Sequence, residues 1–141
     1  MFKYQYKIKK RGFSLLELLI TLAIIGILAA IIYPSYSFYI VKIRRNNAAI
    51  ALTDIAASME EYYAVNNKYD GATLSNLQID DSGFKDFYQI NITAGSNSYS
   101  LKADPIGVQK EEDELCQALV LDQSGKKSIT GMGGASDCWG L

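Results

Sequence analysis

Five features of this 141-residue chain have residue types and spacings that could do chemistry. The first is Glu17, a lone carboxylate inside the apolar run from Phe13 to Tyr33. A charged side chain at mid-bilayer costs upward of about 2.5 kcal/mol, so one that is kept there needs a partner. The second is the Gly12-Phe13 junction, where a leader carrying Lys3, Lys7, Lys9, Lys10 and Arg11 meets that run. The third is the pair Cys116 and Cys138: two buried thiols if reduced, a bridge if the segment lies in an oxidising space. The fourth is the acidic run Glu111-Glu112-Asp113-Glu114, and the fifth is Lys126-Lys127.

Several functions are excluded by what these features lack. The chain has no histidine. It also has no phosphate-cradling glycine loop and no nucleophile motif, so no enzyme activity is expected. Glu60 and Glu61 are adjacent and read as a solvated helix face. Calcium loops space their carboxylates around a sharp glycine turn, which the 111–114 run lacks. That run reads as a solvated loop, or as ion-pairing with Lys126 and Lys127 or with a neighbouring subunit. The cysteines are too far apart in sequence for a two-cysteine finger, so neither a metal nor another cofactor is expected. The formal charge of −1 hides an asymmetry: past the leader, nine basic residues face fifteen acidic ones. Such a domain is no general polyanion binder. Lys126 and Lys127 remain a candidate DNA or partner contact, although useful affinity needs more phosphate contacts than two.

The elements that would position these residues follow from periodicity. Phe13 to Tyr33 would span about 31 Å as a helix, enough to cross a membrane once. The basic leader places the N-terminus in the cytoplasm by the positive-inside rule and exports the remainder. The run is longer than a secretory h-region and lacks a clear small-residue cleavage site, so no ordinary signal cleavage is expected. Tyr33, Tyr36 and Tyr39 fall where an aromatic belt would meet the outer boundary. Beyond it, Ala48, Leu52, Ile55, Met59 and Tyr62 recur at helical steps, with Arg45, Asn46, Asp54, Glu60 and Glu61 largely off the stripe. The pattern predicts one helix from Phe13 to about Asn66, interrupted in its first half only by Gly26 and Pro34. Membrane helices tolerate both residues, though proline favours a kink.

Lys68-Tyr69-Asp70-Gly71 reads as a turn and residues 72–86 as an irregular loop. Strands are expected at Phe87–Thr93, Tyr99–Ala103, Cys116–Leu121 and Lys127–Thr130, with hairpin turns at Gly95-Ser96-Asn97 and Gln123-Ser124-Gly125. Tyr62, Tyr63, Tyr88 and Tyr99 fit core or core-edge positions. The expected fold is α+β: a long N-terminal helix whose C-terminal half packs on a four-stranded antiparallel sheet. Its divisions are a leader at 1–12, an apolar helix half at 13–34 and one globular domain at 35–141.

KKRGFSLLELLI resembles the class III signal of type IV prepilins: a basic leader ending in glycine, a phenylalanine, and a glutamate at the fifth position of the apolar helix. The tail from Cys116, together with EEYY, NNKY and the Cys138-Trp139 pair, resembles a pilin subgroup with a C-terminal disulfide and extends the likeness over essentially the whole chain. The resemblance implies cleavage between Gly12 and Phe13 by a prepilin peptidase and N-methylation of Phe13. It implies polymerisation with other pilin subunits on an inner-membrane assembly platform, with Glu17 neutralising the Phe13 amine of a neighbour. It also implies a Cys116–Cys138 bridge tying the tail to the sheet, and unwinding from Gly26 to Pro34 as a counter-reading to simple tolerance. The expected protein is a single-pass inner-membrane precursor and then an extracellular fibre subunit, with no small-molecule substrate. A minor pilin taking up DNA or adhering to a host surface at the fibre tip, and a type II secretion pseudopilin, are the alternatives. Motility, adhesion and DNA uptake all stay open.

Overall fold

The computed structural model describes residues 12–140, the side chains of Pro34 and Ser35 apart; the leader's five cations lie outside the described residues. The chain divides into two compact units, Met1–Ser37 and Phe38–Leu141. One helix, α1 (Leu15–Asn66), has 52 residues and includes positions 26 and 34. In the first unit every described side chain from Phe13 to Tyr33 is exposed. The apolar half of α1 is unburied, and the helix is long and apolar enough to cross a membrane.

The second unit is built on the α1 stripe. Ala48, Leu52, Ile55 and Met59 are fully buried, joined by Val41 and Ala49. Against them lies an antiparallel sheet in the order β1 (Tyr88–Ala94), β2 (Tyr99–Pro105), β3 (Leu119–Asp122), β4 (Lys127–Ile129). The register pairs Ile90 with Ala103, Leu101 with Leu121 and Leu119 with Ile129. Strict alternation along β2 puts Tyr99, Leu101, Ala103 and Pro105 inward and Ser100, Lys102 and Asp104 outward. Each large apolar side chain so buried contributes about 1.5–3 kcal/mol. The fold is the expected α+β arrangement.

Three local features differ from expectation. β3 begins at Leu119 rather than Cys116, because Gln117 takes a left-handed backbone (φ 51°) that no strand can hold. Two short helices, α2 (Gly107–Glu112) and α3 (Ala135–Trp139), occupy stretches read as loop and tail. Neither is long enough to show a helical period. The hairpin turns fall where expected: the Gly95 amide donates to the Ser98 carbonyl at 2.8 Å. In the second turn Asp122 Oδ1 accepts from the Ser124 and Lys126 amides while Gly125 supplies φ 77°.

An aromatic cluster closes the core near the C-terminal end of α1. Tyr69 stacks at 4.6 Å from Tyr63 and edge-on at 4.8 Å from Tyr99, and its hydroxyl donates to the Glu60 carboxylate. Burial, with the Glu60 carboxylate adding to it, pushes the Tyr99 phenol up to about 12, and burial also raises Tyr69 and Tyr88. In the unfolded chain a phenol titrates near 10. The stability these tyrosines contribute is therefore fully present below about pH 10 and is lost as pH rises through the folded values. Thermal melts are expected to show a falling melting temperature between pH 10 and 12, with Tyr99→Phe flattening the fall. A Tyr99→Phe curve parallel to the wild type would remove this residue as a cause.

Candidate functional site

The first unit presents a continuous apolar surface. Phe13 precedes the helix, which presents Leu15, Leu16, Leu18, Leu19, Ile20 and the residues that follow to the outside, all more than half exposed up to Tyr33 where large and apolar. Glu17 sits in the first turn of α1, and Thr21 Oγ1 donates to its backbone carbonyl at 2.7 Å. Its carboxylate has no ion-pair partner among the described residues. A carboxylate in a first turn gains about 0.3–1 kcal/mol from the helix dipole. That is less than the cost of placing it in hydrocarbon, so the dipole alone does not explain it. A side chain at Gly26 would meet nothing within 4 Å, so no packing inside the chain requires the glycine.

In the second unit a buried polar network sits where α1 first enters the core. Asp113 is 3% exposed and Gln109 fully buried. Arg45 Nη1 donates to Asp113 Oδ1 at 2.6 Å, and the Tyr88 hydroxyl donates to Oδ2 at 3.1 Å. Gln109 Nε2 faces three acceptors: the Val41 carbonyl at 3.1 Å, the Tyr88 hydroxyl oxygen at 3.0 Å and Asp113 Oδ2 at 3.2 Å. Carbonyl and carboxylate can only accept, which fixes the amide's orientation and leaves Gln109 Oε1 buried and unpaired.

This network corrects the reading of the acidic run. Glu111, Glu112 and Glu114 are exposed, but Asp113 is buried and pairs with Arg45. Among the described residues no ion pair joins the run to Lys126 or Lys127. The cause is local geometry: Gln109 and Asp113 are four residues apart, so α2 and its C-cap turn both toward α1. Arg45, placed off the stripe by sequence, in fact continues it three residues before Ala48. A cation at a stripe position was the signal that a buried carboxylate had to exist.

The C-terminal region is held by the Cys116–Cys138 disulfide, with an S–S length of 2.05 Å. In the chain-entropy model such a loop contributes about 3 kcal/mol. Gly131 has no alternative, because a Cβ there would lie 2.1 Å from the Leu115 carbonyl oxygen. Lys127 Nζ rests 5.3 Å from the Trp139 ring centroid, and the indole donates to the Ser128 carbonyl at 3.0 Å. Lys126 is exposed in the preceding turn. The two lysines therefore have different surroundings, Lys126 beside the Asp122 carboxylate and Lys127 over the indole. Other cations are also engaged: Lys102 with Asp104, Lys85 with Asp81, and Arg44 over Phe87 at 4.0 Å. Among the described residues no three carboxylate or thiol groups converge on a metal position.

Residues 34–120 match the family described as "Type IV minor pilin ComP, DNA uptake sequence receptor". The chain belongs to that family and is a type IV pilin. Residues 7–33 of the pilin match the "Prokaryotic N-terminal methylation motif". It is 28% identical over 103 residues to "Type IV major pilin protein PilE1" of Neisseria gonorrhoeae, covering 72% of this chain and 57% of the relative. It is 40% identical over 55 residues to "Fimbrial protein EcpC" of Eikenella corrodens, covering 39% of this chain and 36% of the relative. Against "Type IV major pilin protein PilA" of Myxococcus xanthus it is 27% identical over 96 residues, covering 68% and 44%. The pilin thus spans about half the length of the curated relatives it matches over most of its own length.

Proposed function

We propose that the protein is a structural subunit of a type IV pilus, cut between Gly12 and Phe13, N-methylated on Phe13 and polymerised through its apolar helix with other pilin subunits. The observation that carries this reading is the exposed apolar stretch from Phe13 to Tyr33 with Glu17 as its one charge. Cleavage creates a cationic amine at Phe13, since α-amines titrate near 7.7–8.0. In low dielectric the Glu17 of one subunit meeting that amine on the next rewards a single axial register. The precursor waits in the inner membrane with its N-terminus in the cytoplasm, is processed there by prepilin peptidase, and leaves through the assembly platform into the filament. Gly26, which nothing in its own chain requires, together with Pro34, lets the helix between them unwind as the fibre forms. No catalytic step belongs to this role.

Intact mass of protein from sheared filaments is the test. The expected value is residues 13–141 plus one methyl group; filaments built of chains that keep residues 1–12 would refute the processing step.

A second reading is a minor pilin that takes up DNA, favoured by the description of the matching family. The residues contributing to such contact would include Lys126, which is exposed, more readily than Lys127, which lies over Trp139. Processed protein in detergent, titrated with duplex DNA at two salt concentrations, is expected to bind with a steep salt dependence if this reading holds. Absence of salt-sensitive binding at micromolar protein would leave the structural subunit alone.

A further inference from the structure

We infer that the Val41–Arg45–Gln109–Asp113–Tyr88 network is a mechanical stop, which sets where α1 ceases to be a convertible assembly helix and becomes a fixed part of the globular unit. The inference rests on the proposed unwinding between Gly26 and Pro34 and adds the device that would confine it. Val41 is the first buried residue of α1 among the described side chains, and Arg45 follows it by one turn. Both are held from outside the helix, by α2 and the residue after it.

The nature of the bonds matters. A patch of apolar contacts would stabilise this position as well or better, because replacing a buried ion pair by well-packed apolar groups is often neutral or stabilising. Apolar contact is also non-directional and tolerates sliding and unwinding. The network instead grips one backbone carbonyl and one guanidinium. The Val41 carbonyl has two lone pairs, one for the helix bond to residue 45 and one for Gln109 Nε2. If unwinding reached this turn, Gln109 would still hold the carbonyl in place while Asp113 held Arg45. The helix would have to break several bonds in a buried site at once to open further. Gln109 and Asp113 are the two buried polar or charged residues among the described ones, and both serve this one turn of α1.

Hydrogen exchange on processed full-length protein, in filaments and in detergent micelles, tests the stop. In the wild type, protection is expected to begin at Val41–Arg45 in both. Gln109→Met should speed exchange of amides 41–47 roughly ten- to a hundredfold with β1–β3 and Leu52–Met59 changing far less, and Asp113→Asn, which also weakens the unit as a whole, should speed 41–47 by a clearly larger factor than the sheet. Tyr88→Phe, which removes one hydroxyl and no bulk, should act on the same amides by a smaller factor and covers the case of a variant that does not fold. Unchanged exchange at 41–47 in all variants that fold would overturn the inference. So would a rise shared equally by the sheet, which would make the network ordinary core packing. Full protection of residues 26–34 in wild-type filaments would sink the unwinding itself, while the micelle data on 41–47 would still decide whether the stop exists.

Discussion

Glu17→Ala is expected to abolish filaments while leaving membrane insertion and the globular unit intact. Glu17 is exposed and takes part in none of the contacts that hold the core, so its removal cannot unfold that unit. Insertion should become easier, since a charge worth upward of about 2.5 kcal/mol leaves the apolar run. Assembly carries the loss. On the proposed assembly, each incoming Phe13 amine would then be buried alone, and breaking such a pair costs about 3–5 kcal/mol per subunit. That corresponds to a hundred- to several-thousandfold rise in the subunit concentration needed to polymerise. Glu17→Gln keeps the size and removes the charge, so it should fail as well. The measurement is filament yield after shearing, against the amount of pilin in the membrane. Normal yields from either variant would end the register role.

Asp113→Ala should strongly destabilise the globular unit. It leaves the Arg45 guanidinium, 13% exposed, without its carboxylate and removes an acceptor from Tyr88 and from Gln109. Breaking a buried pair of this kind costs about 3–5 kcal/mol, and Arg45's partial exposure to water argues for the lower end. For a domain of about 100 residues, 3 kcal/mol lowers the melting temperature by roughly 12–20 °C. Thermal melts of the full-length protein in detergent would measure it. A triple change of Asp113→Leu, Arg45→Met and Gln109→Leu should recover most of the loss, because it leaves no buried charge behind. A drop of less than about 1 kcal/mol for Asp113→Ala would show that Arg45 escapes to solvent and that the pair does not hold the base of α1.

Much of this architecture was legible in the residue order, because the signals were periodic or compositional. The apolar run reads as a helix from length alone, the Ala48-Leu52-Ile55-Met59 stripe from its 3.6 repeat, and the four strands from alternation between turn residues. These patterns repeat several times, so one atypical residue does not erase them. Gln109 and Asp113 were illegible for the opposite reason. α2 has six residues, too few for a period, and its run of like charges looks solvated when read one residue at a time. Glu111, Glu112 and Glu114 do behave that way, and the neighbour between them does not.

The chain's order of residues was enough to specify a membrane-length helix with one carboxylate in its apolar run, a match to the N-terminal methylation motif over residues 7–33 and an α+β unit behind it. These depend on covalent sequence and on water's aversion to apolar surface, which act over neighbouring residues. Which carboxylate is buried, which lysine lies over an indole ring and where the helix is gripped depended on tertiary structure. Residues 45, 88 and 113 meet only after the sheet has folded onto α1, and a charge is stable inside a protein only beside groups brought there from elsewhere in the chain. Lys126 and Lys127 make the same point: adjacent in sequence, they separate because one lies in a turn while the other opens β4 and rests over Trp139.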